Sequence, residues 1–319
     1  MKKTIISESL KNIFIPNQKC IINTDLDGIL SGMLLQEFLN WEVVGFSSCC
    51  GKPTDELWIE DTEAYLEDCV FVDLPVCVRD ISVIDQHFVA FDEESIEEYS
   101  SNLNKINPNI LRNRVFKNAD NRCEYTAKYP FGTVHFILAV LENLGYIDDE
   151  FEFNFFKRVN DFDVADLVLR ADRVIGNTCQ YTPNCIDWSN WLIEIGGKNT
   201  NALFVVVKNN YLQRRITEAK VEAFLREIGC SGSDGDCSNL FRAEDYDAIN
   251  NYFVFLSECL ELNRIPLYRF YNFNRLKGKR VEVNNQNLDI VKNEAMKNDV
   301  FSFAFVTMRT LSMTFIEED

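Results

Sequence analysis

Three apolar stretches of this chain are each followed directly by acidic residues. They are Ile21-Ile22 before Asn23-Thr24-Asp25-Leu26-Asp27, Val70-Phe71-Val72 before Asp73, and Val83-Ile84 before Asp85-Gln86-His87. Because parallel strands present functional groups at the carboxyl edge of their sheet, we expect these side chains to share one edge. Carboxylates gathered in one place repel one another unless a cation neutralises them. The pattern therefore predicts a divalent metal site.

Strand and helix patterns alternate through the first half of the chain. Strands are predicted at 20–22, 42–47, 69–74 and 81–85, and helices at 28–40, 132–145 and 151–169. This alternation, with short connections, predicts an α/β fold built on a parallel sheet. The polar, Asn-rich stretch 92–121, which contains Asn107-Pro108-Asn109, is predicted to be connecting structure on the surface.

The length of 319 residues suits two domains. The sequence predicts a parallel-sheet domain at 1–176, a linker at 177–201 and a smaller α+β domain at 202–319. Within the last domain we expect a strand at 202–207, helices at 212–228 and 243–262, and strands at 281–283 and 301–308. Lys279 and Arg280 follow Gly278 in a predicted basic turn that could receive a substrate phosphate, although such turns are more often simply solvated.

Charge and cysteine usage narrow the functional classes. A net charge of −18 argues against binding along extended nucleic acid, which needs basic side chains to neutralise phosphates, but it permits a short nucleotide held through a metal. No apolar core of a signal peptide follows the first residues, and no stretch has the length of a membrane span. Eleven scattered cysteines without a Cys-x-x-Cys pair predict reduced thiols and a cytoplasmic protein that does not bind membranes.

Each acidic motif has two interpretations when it is taken alone. Asp25 and Asp27, at positions i and i+2 of an extended segment, can face one ion, or else Asp27 caps the next helix and Asp25 occupies a turn. Asp73 is either a turn residue or a ligand. Asp161 and Asp163 face one side only if their segment is not helical. Of the two histidines, His135 is predicted to be structural because it lies within an amphipathic helix pattern.

Taken together, the order of the motifs resembles the DHH phosphoesterase superfamily, and its oligoribonuclease-like members most. That superfamily includes manganese pyrophosphatases, single-strand exonucleases, oligoribonucleases and cyclic-dinucleotide phosphodiesterases. The resemblance covers roughly the first half of the chain. It rests on Asp25-Leu26-Asp27-Gly28, Val72-Asp73-Leu74-Pro75, Ile84-Asp85-Gln86-His87, Phe131-Gly132-Thr133 and Asp161-Phe162-Asp163.

The resemblance implies hydrolysis of a phosphodiester or phosphoanhydride, with a nucleotide or short oligonucleotide as substrate and Mn²⁺ or Mg²⁺ as cofactor. It implies metal ligation by Asp25, Asp27, Asp73 and Asp161. His87 would hold the phosphate and Asp85 would orient His87, while Asn23, Gln86 and Thr133 would contact substrate. Lys279 and Arg280 are predicted as further substrate contacts from the basic turn alone, outside the resemblance.

Two departures from the family pattern leave alternatives open. Asn23 and Gln86 stand where the family has histidine ligands, and an amide oxygen is a weaker donor to transition metals than imidazole. The chain is therefore either an active variant or a non-catalytic member that serves as a binding or assembly module. A third alternative is a haloacid-dehalogenase-type phosphatase, in which Asp25 is the nucleophile and Asp27 the acid–base.

Overall fold

The structure is a computed structural model of the chain, and it describes most of its residues. The described residues are 8–48, 56–60, 66–101, 104–117, 123–159, 162–171, 183–210, 214–232, 234–268, 270–273, 276–284, 286–297 and 299–316.

Twelve strands are present among the described residues. They are β1 (Lys19–Asn23), β2 (Glu42–Ser47), β3 (Leu57–Ile59), β4 (Cys69–Val72), β5 (Ser82–Ile84), β6 (Lys105–Ile106), β7 (Arg158–Val159), β8 (Phe162–Asp163), β9 (Tyr271–Phe273), β10 (Leu276–Glu282), β11 (Val300–Thr307) and β12 (Thr310–Ile316).

Twelve α-helices accompany them in the same part of the chain. They are α1 (Glu8–Ile13), α2 (Leu26–Leu39), α3 (Glu93–Ser101), α4 (Pro108–Leu111), α5 (Thr133–Leu144), α6 (Val164–Arg170), α7 (Pro183–Ile195), α8 (Lys198–Asn210), α9 (Arg214–Glu227), α10 (Ser238–Arg242), α11 (Tyr246–Leu260) and α12 (Leu288–Ala295).

The architecture is mixed α/β, with a seven-stranded sheet in the order β6-β5-β4-β1-β2-β3-β9. β1, β4, β5 and β6 pair in parallel, while β3 pairs antiparallel with both β2 and β9. The parallel strands are short and apolar, and all four residues of β4 are buried. These strands confirm the predictions near 20–22, 42–47, 69–74 and 81–85.

The chain divides into two compact units, each made of several stretches. The first, here the helical unit, comprises 1–18, 24–43 and 130–268; the second, the sheet unit, comprises 19–23, 44–129 and 269–319. These units differ from the consecutive domains 1–176 and 202–319 that the sequence predicts, because residues 269–319 share a core with residues 44–129.

Aromatic packing builds that shared core within the sheet unit. The antiparallel sheet β10-β12-β11 contributes Phe303 and Phe305. Phe116 stacks on Phe305 at a centroid distance of 4.2 Å, and Phe88 contacts Phe303 edge-on at 4.9 Å. Such pairs add to the stabilisation that burial of their large apolar area provides.

The helical unit has its own aromatic core. Trp188 of α7 is fully buried, and Phe136 of α5 stacks on Trp191 at 6.2 Å. A small apolar pocket also lies in this unit, lined in part by Leu34, Val134 and His135.

Several predicted elements are wrong. Residues 202–207 form part of α8 rather than a strand, and 151–169 contain β7, β8 and α6 rather than one helix. The predicted linker at 177–201 contains α7, and the predicted basic turn at Gly278 lies within β10, where Gly278 pairs with Thr314. None of the helices in the described residues has the length and apolar character needed to cross a membrane.

Candidate metal centre

Two aspartates occupy the first positions after neighbouring parallel strands of the sheet unit. Asp73 follows β4, and its backbone N–H donates to Ile84 O at 2.8 Å. Asp85 follows β5, and its backbone N–H donates to Ile106 O at 3.0 Å. Because each backbone is still held by the adjacent strand, both carboxylates are fixed at the carboxyl edge of the sheet. Both residues are buried, with 0% and 1% of their surface exposed.

The backbone of Asp73 adopts a left-handed conformation, with φ of +60°. Aspartate and asparagine tolerate this region better than other residues that carry a Cβ, but it still costs free energy. The left-handed residue directly after β4 turns the chain sharply at the strand end. Five other described residues that carry a Cβ share a φ of this kind, so the conformation by itself is that of a turn, and the case for Asp73 rests on its contacts.

His87 completes a group of three potential metal ligands. Its Nε2 lies 3.1 Å from Asp73 Oδ1, and one ligand atom from each of Asp73, Asp85 and His87 lies within 4.8 Å of the others. The Asp73 side chain is fully buried, whereas 27% of the His87 side chain is exposed. Solvent therefore reaches the group from the side of His87.

The surroundings of Asp85 shift the pKa of its carboxyl group. Burial raises the pKa of Asp85 above its ordinary value of 3.8, and the nearby Asp73 raises it further, while His87 opposes the rise. Oδ1 accepts the backbone N–H of His87 at 2.8 Å, and Oδ2 accepts that of Phe88 at 2.9 Å. Two buried carboxylates this close are the situation in which a bound cation lowers the electrostatic cost.

The two amides that replace histidines of the family pattern lie in the same group. Asn23, at the end of β1, donates from Nδ2 to Asp73 Oδ2 at 3.0 Å. Gln86 places its Nε2 3.2 Å from each ring nitrogen of His87. Both residues are buried, with 4% and 6% of their surface exposed. The sheet unit thus brings together five of the residues singled out in the sequence.

The helical unit holds Asp25, Asp27 and Thr133, and here the carboxylates meet helix ends. Asp25 caps α2, because its Oδ1 accepts the N–H of Gly28 at 3.0 Å. Asp27 accepts the N–H groups of Thr133 and Val134, the first two residues of α5, at 2.7 and 2.8 Å. Negative charge at a helix N-terminus is stabilising. A role for these aspartates as metal ligands, or in the alternative phosphatase chemistry, stays a prediction.

The remaining predicted residues have separate positions. Asp161 lies outside the described residues. Asp163, in β8, accepts from Arg158 Nε at 3.2 Å. Lys279 pairs with Glu294 at 2.7 Å, and Arg280 lies in the same strand, β10. The imidazole of His135 is buried in α5, with Nδ1 3.2 Å from Gly132 O.

Two buried asparagines beside the group were not identified from the sequence. Asn107 donates from Nδ2 to Asp85 Oδ2 at 3.2 Å, and Asn109 donates to Gln86 O and Phe88 O at 3.0 Å each. The signal present in the sequence is an N-cap asparagine before a proline at the first helical position. That signal predicts the start of α4 but not its burial.

The donor set of Asp73, Asp85 and His87 fits a divalent cation. Carboxylate oxygens suit Mg²⁺ and Mn²⁺, and a single imidazole nitrogen is a better donor to Mn²⁺ than to Mg²⁺. A scan against protein-family models and searches of curated proteins and of solved structures gave no match to this chain. The resemblance to DHH phosphoesterases therefore stays a prediction that rests on the motifs.

Proposed function

We propose that the chain is a divalent-metal-dependent phosphoesterase that hydrolyses a phosphodiester or phosphoanhydride of a nucleotide or short oligonucleotide. The observation that carries the proposal is the group formed by buried Asp73 and Asp85 and partly exposed His87 at the carboxyl edge of a parallel sheet. Ligands of open α/β sheets bind at this edge. The order of the surrounding motifs, which resembles that of DHH phosphoesterases, supplies the reaction class.

Asp73, Asp85 and His87 would hold Mn²⁺ or Mg²⁺. A divalent cation in such a site supplies Lewis acidity toward a phosphoryl oxygen and lowers the pKa of water. The protein contributes rigid ligands: Asn23 fixes the Asp73 carboxylate, and two backbone N–H groups fix that of Asp85. Partly exposed His87 is the group of the three that a phosphate from solvent would meet first.

The charge of the chain supports a small substrate. With a net charge of −18, the protein repels a long phosphate backbone at most points of its surface. A bound divalent cation would neutralise the two carboxylates of the site, so that one or two phosphates could still enter. Mononucleotides, dinucleotides and short oligonucleotides meet this condition.

The direct test is hydrolysis of a chromogenic phosphodiester and of short oligoribonucleotides with Mn²⁺, Mg²⁺ or EDTA. The decisive variant is Asp73→Asn, because asparagine tolerates the left-handed backbone of residue 73 and nearly preserves its volume. We expect Asp73→Asn and His87→Asn to lose more activity than the roughly 10–100-fold caused by loss of a ligand's hydrogen-bond partner. Asp289→Asn, an exposed change in the same unit, serves as the control. Equal background turnover by wild type and Asp73→Asn over the whole panel would reject the enzyme.

A non-catalytic binding module is the second candidate, and one contact favours it. The Asn23 amide donates to Asp73 Oδ2, so it already satisfies an oxygen that a cation would otherwise use. Restoration of both imidazoles, by Asn23→His with Gln86→His, separates the two candidates. A degenerate site should gain Mn²⁺-dependent hydrolysis in the double variant, whereas a working site should be unchanged or impaired.

A further inference from the structure

Asn107 and Asn109 contact the turn of residues 85–88 from one short segment. Asn107 Oδ1 accepts the N–H of Asn109 at 2.7 Å and so caps α4, while its Nδ2 donates to Asp85. Asn109 donates from one Nδ2 to both Gln86 O and Phe88 O, and its Oδ1 accepts the N–H of Tyr129 at 2.6 Å. The two residues are buried, with 3% and 0% of their surface exposed.

The turn needs these partners because its backbone carbonyl groups no longer pair with the neighbouring strand of the sheet. Beyond Asp85, whose N–H still pairs with Ile106 O, the carbonyl groups of Gln86 and Phe88 are met by the side chain of Asn109. Buried carbonyl groups without a donor are costly, so a donor at this point has a large effect on the local conformation. Asparagine supplies two donor hydrogens and an acceptor from one compact group, which few other side chains can do.

We propose that Asn107 and Asn109 are positioning residues that hold the His87 imidazole against Asp73. The backbone on both sides of His87 is fixed at three points: the N–H of His87 donates to Asp85 Oδ1, and the carbonyl groups of the neighbouring Gln86 and Phe88 accept from Asn109. With the backbone fixed, the partly exposed ring has a defined direction toward Asp73, at 3.1 Å. Asn107 fixes the Asp85 carboxylate in the same way.

The effect of these two asparagines on metal affinity depends on the proposed function, because it requires that Asp73, Asp85 and His87 bind a metal. Partners that orient ligands typically contribute about 10–100-fold to metal affinity or activity, because a ligand that must be ordered on binding pays that entropy at the site. The placement of the ring against Asp73 can be measured without metal. The placement of the His87 ring and its effect on metal affinity can therefore be tested separately.

The test uses two variants that remove different contacts. Asn107→Ser keeps a side-chain oxygen to cap α4 but is too short to donate to Asp85. Asn109→Ala removes both donations to the turn. Asn287→Ala is the matched control in the same unit, because it removes a donation to Glu282 O and an acceptor for the N–H of Asn284. Cooperative thermal unfolding identifies the variants that fold.

The first readout is the imidazole ¹H–¹⁵N spectrum of the full chain without metal. The sequence has two histidines, so the signals of His87 are assigned by their loss in His87→Asn. We expect the His87 signals to move or double in Asn107→Ser and Asn109→Ala and to stay in place in Asn287→Ala. Unchanged His87 signals in the folded variants would overturn the proposal; if Asn109→Ala does not fold, Asn107→Ser decides.

The second readout is the affinity for Mn²⁺, measured by calorimetry. We expect it to fall by about 10–100-fold in both variants and to remain at the wild-type value in the control. Moved ring signals with unaltered affinity would show a merely structural role and would also overturn the assignment. If wild type binds no Mn²⁺, the proposed function fails, and the ring signals alone decide whether the asparagines hold His87.

Discussion

Two helices of this chain start at a single buried carboxylate that lies far away in the sequence and accepts their first N–H groups. Glu142, in the last turn of α5, accepts the N–H groups of Gly197, Asn199 and Thr200 and the hydroxyl of Thr200 at the start of α8. The first N–H groups of a helix have no partner within it, so this carboxylate serves as their acceptor. Asp27 does the same for α5. One anion thus joins two helices at each point.

The contacts of Glu142 predict that its replacement by glutamine lowers the free energy of unfolding substantially, although the two side chains have nearly the same shape. In Glu142→Gln, one acceptor oxygen becomes an amide NH2 group that faces N–H donors, so we expect a loss of about 2–3 kcal/mol in the free energy of unfolding. Glu150→Gln, at an exposed position nearby in sequence, should change it by less than about 0.5 kcal/mol. Urea denaturation measures both. Equal values for the two variants would show that the helix start does not depend on Glu142.

The Asp27 contact explains why a glycine precedes α5. A Cβ at Gly132 would lie 2.5–2.7 Å from the carboxylate atoms of Asp27. We therefore expect Gly132→Ala to cost about 1–3 kcal/mol, because the carboxylate must leave the helix end. In an Asp27→Ala background the same substitution should cost much less. A double-mutant cycle by chemical denaturation measures this coupling, and simple additivity would contradict it.

At the scale of elements, α3 and α12 of the sheet unit are joined by an ion pair. Lys292 Nζ lies 2.9 Å from both Asp92 Oδ2 and Glu94 Oε2. Burial alone would raise the pKa of Asp92, but hydrogen bonds from Lys292 and Ser95 outweigh it and hold the pKa below its ordinary 3.8. Burial would lower the pKa of Lys292, yet the two carboxylates raise it above 10.5.

The signs of these shifts fix the pH range in which the pair stabilises the fold. The contribution of Asp92 is present above the pKa it has in the unfolded chain and is lost as the pH falls through its lower folded pKa. We expect Asp92→Asn to cost about 0.5–1 kcal/mol at pH 7, since the partners are partly exposed and screened. The difference from wild type should vanish in acid. Urea midpoints from pH 2 to 7 test this, and a difference that stays constant down to the lowest pH would contradict it.

Element prediction succeeded where local pattern and tertiary environment agree. The strand β2 has the predicted bounds 42–47, and α5 falls within 132–145. The stretch 202–207 failed because its β-branched, apolar residues favour a strand, whereas Glu142 supplies an acceptor for the start of a helix there. That acceptor lies more than fifty positions earlier in the chain, and no local pattern reveals it.

The candidate site likewise contains residues that local patterns predicted and residues whose role depends on tertiary contacts. Asp73, Asp85 and His87 were predicted to matter because residues after parallel strands meet at one edge of the sheet. Asn107 and Asn109 were missed because an Asn-rich stretch normally lies on the surface, and only tertiary contacts bury this part of it. The prediction of Asp27 as a ligand did not include its capping of α5, because the helix that it caps begins more than a hundred residues later.

At the scale of the whole molecule, the excess of acid must be separated from a specific metal site. A chain with a net charge of −18 repels itself, so NaCl, which screens the charges, should raise its apparent melting temperature. A cation that binds only the folded chain adds a further stabilisation, about 2.7 kcal/mol at a concentration of 100 times its dissociation constant. The first effect depends on ionic strength and the second on Asp73.

We therefore expect Mn²⁺ to raise the melting temperature of wild type more than NaCl of equal ionic strength does, and EDTA to reverse the difference. Asp73→Asn should keep the response to NaCl, because it removes one of fifty acidic side chains, and should lose the additional response to Mn²⁺. Differential scanning calorimetry of both proteins at matched ionic strength measures the two effects. If Asp73→Asn gains as much from Mn²⁺ as wild type does, the cation acts on the acidic surface as a whole, and Asp73 does not belong to a metal site.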